Sequence, residues 1–228
     1  MKIALIGYGK MGHAIEVLAL GCGHEVVCRI DNEEDWRVVS GRWEEKRPDV
    51  AIEFTTPQTA VENMRRCFAA GVPVVCGTTG WYDCYEEVKA DCMASNGSML
   101  TATNFSLGMN IMFALNERLA RLMKGRPYSV SISETHHIHK LDAPSGTAIT
   151  LREQIVENGE REAESIPIAS VREGEVPGTH TVVYDSMVDT ITLTHEAHSR
   201  QGLAQGALLA AEWLTNAKPG VYTMKDIL

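Results

Sequence analysis

Short runs of apolar, often β-branched residues recur through the first half of the chain, and segments with helical spacing separate them. This pattern predicts strands at residues 3–6, 26–28, 50–54 and 72–76, and helices at residues 13–20 and 59–70. Strands that alternate with helices are typical of a parallel sheet with crossover helices. We therefore expect an α/β domain over residues 1–106, completed by a helical segment within residues 201–228.

The pattern changes after residue 106. A helix is predicted at residues 107–123, and residues 128–134 then alternate like a strand with one polar face. Similar runs follow at residues 182–184 and 190–195. We expect residues 107–200 to form a second, α+β domain with an open mixed sheet. The short stretch between Asp31 and Glu53 is expected to hold little regular structure.

A glycine turn follows the first predicted strand and opens the first predicted helix. In such G-x-G-x-x-G turns Gly7 makes the tight bend, Gly9 lets backbone amides approach a pyrophosphate, and Gly12 allows close packing of helix on strand. The helix N-terminus offers unpaired amides and a positive dipole end to phosphates. Asp31 ends the second strand, at about the ~20-residue distance expected of a carboxylate that bonds the adenosine ribose. The first domain is thus predicted to be a Rossmann-like dinucleotide-binding domain.

The choice between NADH and NADPH stays open. Asp31 favours NADH, because a carboxylate repels the 2'-phosphate of NADPH, but Arg29 lies two residues earlier and could offset this repulsion. Two later strand ends, Phe54-Thr55-Thr56 and Gly77-Thr78-Thr79, suit the ribose and the nicotinamide, since ligands bind beyond the carboxyl ends of parallel strands. Plain strand-ending turns are the alternative interpretation of these two segments.

The residues from Glu134 to Ala148 carry the most chemistry. His136, His137 and His139 accompany Lys140 in one loop, and a helix follows that Ser145 or Thr147 would cap. An imidazole can act as a general acid near neutral pH. The amides of Gly146 and Thr147 would face a carboxylate at the helix start. These groups describe a pocket for a dianion that accepts a proton together with a hydride.

Two other interpretations of the histidines were weighed. A His-His-x-His cluster is also a potential metal-ligand pattern, but the adjacent lysine would repel a cation and no cysteine or paired carboxylate completes a ligand set. We therefore expect no metal site. The other alternative is that the histidines are ordinary loop residues, and it is strongest for His139.

The formal net charge is −9, and no block of lysine and arginine stands out. Nucleic acid and anionic membranes are poor partners for such a chain, and the dianion pocket predicts a small anionic ligand instead. None of the six cysteines forms a C-x-x-C pair, so we expect reduced thiols. The N-terminal residues lack the regions of a signal peptide, and the expected location is the cytoplasm.

The run E-x-H-H-x-x-K-x-D-A-P-S-G-T-A over residues 134–148 resembles the signature of the dihydrodipicolinate reductase family. The similarity covers essentially the whole chain, in the same order: the glycine turn, the strand end at residues 53–55, Gly77-Thr78-Thr79-Gly80, Asn104-Phe105-Ser106-Leu107-Gly108, and elements at residues 177–180 and 198–200.

This resemblance implies roles for individual residues. His136 would be the general acid and Lys140 its catalytic partner, while His137, Gly146 and Thr147 would hold the substrate carboxylates. The residues implied for the phosphates and ribose are Gly7, Lys10, Met11, Gly12 and Asp31. Those implied for the nicotinamide end are Gly77, Thr78, Thr79, Ala102, Thr103, Asn104 and Phe105.

The implied reaction is hydride transfer from NADH or NADPH to a dehydrated cyclic imine, which gives tetrahydrodipicolinate in diaminopimelate and lysine biosynthesis. The implied assembly is a homotetramer built through the sheets of the second domain. Rival hypotheses are another two-domain NAD(P)-dependent imine or amino-acid dehydrogenase and a catalytically silent nicotinamide-binding regulator. The sequence leaves open the roles of His139, His180 and Arg200, and the short stretch that contains Trp36 and Trp43 leaves the cofactor preference open as well.

Overall fold

A computed structural model describes residues 1–40, 45, 47–199 and 201–228. Trp43 and Arg200 lie outside the described residues. The chain divides into two compact units, unit 1 comprising residues 1–106 and 203–228 and unit 2 comprising residues 107–202. No described helix combines the length and the apolar character that are needed to cross a bilayer.

The described strands are, in chain order, β1 (Lys2–Ile6), β2 (Glu25–Ile30), β3 (Val50–Glu53), β4 (Val74–Cys76), β5 (Ser98–Thr101), β6 (Ser129–His136), β7 (Ile168–Arg172), β8 (Thr179–Asp185), β9 (Thr190–Glu196) and β10 (Gly220–Tyr222). The described α-helices are α1 (Lys10–Gly21), α2 (Glu33–Ser40), α3 (Pro57–Ala69), α4 (Tyr85–Ala94), α5 (Leu107–Met123), α6 (Gly146–Gly159) and α7 (Gln201–Leu214).

Unit 1 is built on a parallel sheet with the strand order β10-β5-β4-β3-β1-β2. Successive side chains of β1 point to opposite faces, so Ile3 and Leu5 join one apolar core and Ala4 and Ile6 join the other. Helices α1 and α7 cover the first face, and α2, α3 and α4 cover the second. All the carboxyl ends of these strands therefore meet along one edge, where the predicted nucleotide residues follow them.

Unit 2 holds a mixed sheet with the order β7-β6-β8-β9, in which β6 pairs parallel with β7 and antiparallel with β8. One face of this sheet is covered by α5 and α6, whose apolar residues pack on Val130, Ile132 and Val182. This observation confirms the predicted combination of a Rossmann-like sheet and an open mixed sheet.

The expectation that residues 32–52 hold little regular structure is wrong, because α2 spans Glu33–Ser40. Asn32 Oδ1 accepts hydrogen bonds from the amides of Glu34 and Asp35 at 2.9 and 3.0 Å. In return, the Asp35 carboxylate accepts one from the Asn32 amide at 3.2 Å. This reciprocal capping pattern satisfies amides that would otherwise have no partner at a helix start.

Candidate active site

A cavity of about 460 Å³ lies in unit 1 at the carboxyl ends of β1, β2 and β3. Its volume is in the usual range for small-ligand pockets. It brings together five residues that the sequence assigned to the dinucleotide: Gly7, Gly9, Asp31, Phe54 and Thr55. Since β1 has β2 on one side and β3 on the other, the cavity lies where the strand order reverses, which is where doubly wound sheets bind nucleotides.

The glycines of the turn meet distinct steric requirements. Gly7 has a φ of +89°, and a Cβ built on it would lie 1.9 Å from the carbonyl oxygen of Phe54. A Cβ on Gly12 would lie 2.4 Å from the carbonyl oxygen of Gly7, so this glycine permits α1 to pack closely against the turn. A Cβ on Gly9 would meet nothing within 4 Å and would project into open space. The first turn of α1 carries no acidic residue, which keeps its amides suited to an anion.

Asp31 lies exposed at the rim of the cavity, and its Oδ1 accepts a hydrogen bond from the Tyr8 amide at 2.8 Å. Arg29 does not turn toward it. The Arg29 guanidinium binds Glu16, which lowers the pKa of that carboxyl, and it also lies 5.7 Å from the Tyr8 ring centroid. Of the two alternatives left open by the sequence, the described geometry therefore does not show the one in which Arg29 offsets the charge of Asp31 at the ribose.

Several residues that follow β4 and β5 are buried in unit 1 and already contact other residues of that unit. Thr78 is buried, and its Oγ1 accepts a hydrogen bond from the Thr55 amide at 2.7 Å. The Phe54 ring lies over Gly77, where a Cβ would come within 2.1 Å of it. Phe105 is also buried, so a contact of this residue with a cofactor would use its main chain. Thr79 and Thr103 are exposed at the same edge of the sheet.

Sequence reasoning missed the far wall of the cavity, which consists of Trp36, Thr59 and Asn63. Trp36 Nε1 donates to Asn63 Oδ1 at 3.0 Å, and Asn63 Nδ2 approaches the buried Glu53 at 3.4 Å. Asn32 followed by three acids is a helix-start signal, and it would have revealed the helix that carries Trp36. Nothing in the sequence pairs Trp36 with Asn63.

In unit 2 the inward face of the sheet changes from apolar to ionisable along β6. Val130 and Ile132 belong to the core, and Glu134 and His136 continue on the same face with exposed fractions of 1% and 8%. His180 of β8 pairs in register with Glu134, and Arg172 of β7 pairs in register with His136. The polar end of this face is therefore the candidate catalytic site.

His136 Nδ1 is in a short hydrogen bond with Glu134 Oε2. Burial lowers the pKa of His136, while the Glu134 charge and hydrogen bond oppose this shift. Burial alone would raise the pKa of Glu134, but hydrogen bonds from Arg172 and Ser170 and the charge of His136 hold it below its ordinary value. The Glu134 carboxylate and the His136 imidazole thus form a buried, hydrogen-bonded pair, which is a geometry that general acid–base catalysis uses.

Lys140 lies in the loop after β6, and its Nζ donates to both carboxylate oxygens of Asp142, at 2.8 and 2.9 Å. This contact with Lys140 is the main cause that lowers the pKa of Asp142, and the Gly146 amide contributes to the lowering. A carboxylate is thereby already held between the lysine and the start of α6. The local chemistry of this position suits a carboxylate-bearing ligand.

The N-cap of α6 is Ser145, whose Oγ accepts from the Ala148 amide at 3.3 Å. Of the two predicted capping residues, Thr147 lies inside the helix and does not occupy the cap position. Gly146 and Thr147 are the first two helical residues, as the predicted carboxylate contact requires.

The remaining histidines differ in their surroundings. His180 is buried beside His136, with ring centroids 5.0 Å apart, and burial lowers its pKa to about 4. His137 is half-buried, and its carbonyl closes the loop by accepting from the Lys140 amide at 3.1 Å. His139 is exposed and faces Glu175 at 3.3 Å, as an ordinary surface residue would.

One potential ligand atom each from Glu134, His136 and His180 lies within 4.8 Å of the others. The same carboxylate already binds Arg172 and His136, and Lys140 is close enough to affect the pKa of His136. A cation would meet like charges at this point. The expectation of no metal site stays a prediction.

A unit with a dinucleotide-type fold and a unit with a buried histidine and a nearby lysine define this protein as a two-domain oxidoreductase. Residues 1–105 match the family described as "Dihydrodipicolinate reductase, N-terminus", and residues 108–228 match "Dihydrodipicolinate reductase, C-terminus". The chain belongs to the dihydrodipicolinate reductase family.

Individual relatives agree with this family. A 4-hydroxy-tetrahydrodipicolinate reductase of Christiangramia forsetii is 45% identical over 100% of this chain and 98% of its own. The reductase of the same name from Methanopyrus kandleri is 38% identical over 80% of this chain and 72% of its own. The solved structure of a dipicolinate-bound dihydrodipicolinate reductase from Paenisporosarcina sp. TG-14 superposes with a TM-score of 0.84 at 25% identity, covering 100% of this chain and 99% of that one.

A more distant structure shows the fold alone. An amine dehydrogenase from Mycobacterium smegmatis has a TM-score of 0.66 at 11% identity and covers 97% of this chain and 94% of that one.

Proposed function

We propose that this protein is a 4-hydroxy-tetrahydrodipicolinate reductase, which reduces a dehydrated cyclic imine to tetrahydrodipicolinate in the diaminopimelate and lysine pathway. The observation that carries the proposal is the buried Glu134–His136 pair beside Lys140 and the start of α6. Family membership over both units supports it. NADH or NADPH, when bound in unit 1, supplies the hydride.

The substrate is a dicarboxylate, and unit 2 offers suitable groups for its two carboxylates. The Lys140 ammonium and the Gly146 amide already hold the Asp142 carboxylate, so they can hold a carboxylate of the ligand. Thr147 and His137 are the further residues that we assign to this role. Such charge-assisted contacts explain how a chain with a net charge of −9 takes an anionic substrate.

His136 is assigned as the general acid. Addition of a hydride to the conjugated ring leaves negative charge on the ring, and a proton from His136 neutralises it. Lys140 is assigned as its catalytic partner, since its positive charge lowers the energy of the same anion. Each positioned group of this kind typically contributes about 10²–10⁴-fold to the rate.

In unit 1 we assign the phosphates and the ribose to Gly7, Gly9, Lys10, Met11, Gly12 and Asp31. The cavity at this position, with its glycine turn at the start of α1, supports that assignment. The strand ends after β3, β4 and β5 follow one another along the sheet toward β10 and are assigned to the nicotinamide end. Cytoplasmic location is part of the proposal, and the six free thiols fit a reducing compartment.

A homotetramer is also part of the proposal. The face of the unit 2 sheet that α5 and α6 leave uncovered carries small polar and β-branched residues, among them the exposed Val171 and the Thr181–Thr194 hydroxyl pair. Such an uncovered sheet face suits packing against a second copy of itself.

The decisive experiment measures the oxidation of NADH and of NADPH in the presence of freshly generated hydroxytetrahydrodipicolinate. The unaltered protein is expected to show substrate-dependent oxidation. His136→Gln and Lys140→Ala should each lose about 10²–10⁴-fold in kcat and still bind the cofactor. His139→Gln, which alters an exposed histidine of the same loop, is the matched control and should keep the parent activity.

Full activity in either the His136 or the Lys140 variant would contradict these assignments. A folded parent protein that binds a nicotinamide cofactor but oxidises none of it would indicate a binding-only regulator. Activity with another imine or an amino acid, and none with this substrate, would indicate a related dehydrogenase.

A further inference from the structure

Glu134 and Arg172 are two charged residues of unit 2 that the proposed reaction assigns neither to the substrate nor to the cofactor. The Glu134 side chain has an exposed fraction of 0%, and the Arg172 side chain has one of 19%. Burial of a carboxylate is costly unless it is paired and hydrogen-bonded. Both groups lie next to His136, so their charges affect the pKa of its imidazole.

Arg172 connects the end of β7 to the loop that follows β6. Its Nη2 donates to Glu134 Oε1 at 3.0 Å and to the Asp142 carbonyl at 2.5 Å, and its Nε donates to the Lys140 carbonyl at 3.3 Å. One guanidinium therefore holds the carboxylate and the loop of Lys140 together. The planar fork of arginine suits this arrangement, which the single charge of lysine does not reproduce.

The two carboxylate oxygens of Glu134 have different partners. Oε1 accepts from Arg172 and, at 3.3 Å, from the Ser145 amide, which leaves Oε2 for His136 Nδ1. A carboxylate accepts hydrogen bonds only, so Nδ1 must carry the proton. The other ring nitrogen, Nε2, is then the atom that exchanges a proton with a ligand.

The space beside Nε2 is kept open by a glycine. A Cβ built on Gly178 would lie 3.0 Å from His136 Nε2, closer than nearly all real contacts of this kind. Gly178 thus lets the imidazole occupy its position with no side chain pressing on the reactive nitrogen.

From this geometry we propose that Glu134, held by Arg172, is the positioning residue of the reaction: it fixes the ring of His136 with the proton on Nδ1 and stabilises the imidazolium that donates from Nε2. This proposal rests on the proposed function for its catalytic consequence. The tautomer of His136 follows from the contacts alone.

A pH consequence follows from the charges around the ring. The groups that face His136 are Glu134 on its own strand, Lys140 in the loop, Arg172 on β7 and His180 on β8, with His195 beyond His180 on β9. Among these groups only Glu134 raises the pKa of His136. An acid works while it is protonated, so activity is lost as the pH rises through this pKa. Removal of the Glu134 charge lowers the pKa and moves that loss to lower pH.

The variant Glu134→Gln keeps the size of the side chain and an oxygen for Nδ1 but removes the charge. The basic limb of the kcat/KM profile is expected to move down by about 1–3 pH units, the usual effect of one close charge. At neutral pH kcat should fall while the KM for the cofactor stays unchanged. Glu175→Gln is the matched control, since it removes the carboxylate beside the exposed His139, and its profile should equal that of the parent.

A second measurement uses the unaltered protein and therefore does not depend on the folding of a variant. Long-range ¹H–¹⁵N correlation on protein labelled with ¹⁵N-histidine reports the tautomer of each ring, and the signals missing from His136→Gln identify His136. Neutral His136 with the proton on Nδ1 is the expected result. A proton on Nε2 would overturn the proposal, and so would an unshifted basic limb in folded Glu134→Gln.

The two proposals fail separately. Absence of turnover in the parent protein counts against the reductase assignment, and the tautomer measurement still decides the role of Glu134. If the parent protein turns over and the pH profile of folded Glu134→Gln is unshifted, the reductase assignment stands and the proposed role of Glu134 is wrong.

Discussion

The ribose end of the unit 1 cavity is lined by Asp31, Asn32 and Glu33, and no lysine or arginine is among its described lining residues. Two described arginines whose partners are known, Arg29 and Arg66, are already paired. Arg29 binds Glu16, and Arg66 binds Glu33 at 3.1 Å and lies 5.2 Å from the ring centroid of Trp36. A 2'-phosphate would meet the carboxylates of Asp31 and Glu33 here, of which only Glu33 is paired with an arginine, and no cation among the described lining residues would offset Asp31.

We therefore predict that NADH is the preferred cofactor, with a kcat/KM at least about tenfold above that for NADPH, because close like charges at a protein surface cost more than the ~1.4 kcal/mol that corresponds to a factor of ten. Steady-state rates with the two cofactors measure this ratio. Asp31→Asn should narrow it, and Glu34→Gln, which changes an exposed acid of α2 outside the cavity lining, should leave it as it was. Equal rates of the parent with both cofactors would contradict the prediction.

At the scale of single residues, the sequence predicts those that belong to a local pattern. His136, Lys140 and Gly146 lie within eleven consecutive positions, and the alternation of β6 already places Glu134 on the inward face with Val130 and Ile132. Arg172 and Asn63 were missed for a different reason. Their partners Glu134 and Trp36 are 38 and 27 positions away, and only the pairing of β6 with β7 and the packing of α2 against α3 bring them into contact.

At the scale of elements, the Asn32 cap stabilises α2, the helix that carries Trp36 in the wall of the nucleotide cavity. Asn32→Ala removes the side chain that satisfies two amides of the helix start, and it should lower the free energy of unfolding by about 1 kcal/mol. Because α2 carries Trp36 into the cavity wall, NADH affinity should also fall.

Urea unfolding and NADH titration of Asn32→Ala measure these two effects. Glu34→Ala in the same turn is the control, since its side chain makes no cap. Unchanged unfolding of Asn32→Ala would show that the contacts of α2 with α3 and β2, rather than its cap, hold the helix in place.

Long elements with one clear period were predicted closely. The predicted helix at residues 107–123 coincides with α5, and the predicted runs at residues 3–6 and 190–195 fall within β1 and β9. Two strands that were missed, β7 and β10, lack such a period. β10 has three residues and is held by its parallel pairing with β5, and the exposed outer residues of β7 hide its strand pattern.

At the scale of the whole molecule, the uncovered face of the unit 2 sheet leads to a prediction of assembly. Light scattering should give a mass four times the 25.1 kDa of the chain. Thr181→Arg places a large charge on that face and should shift the protein to smaller species, while Glu157→Arg on α6 should not. A monomeric parent protein at micromolar concentration would contradict the proposed tetramer.

Unit 2 is one continuous stretch, whereas unit 1 takes its last helix and its edge strand from residues 203–228. Helix α7 buries Leu208 and Leu214 in the core that β1 and α1 share. During synthesis on the ribosome, all residues of unit 2 leave the exit tunnel before α7 and β10, the last elements of unit 1, have been made. Unit 1 therefore begins to fold first and completes its fold last. While unit 2 is being synthesised, the nascent chain exposes the apolar surface of β1 and α1 that α7 covers in the folded protein.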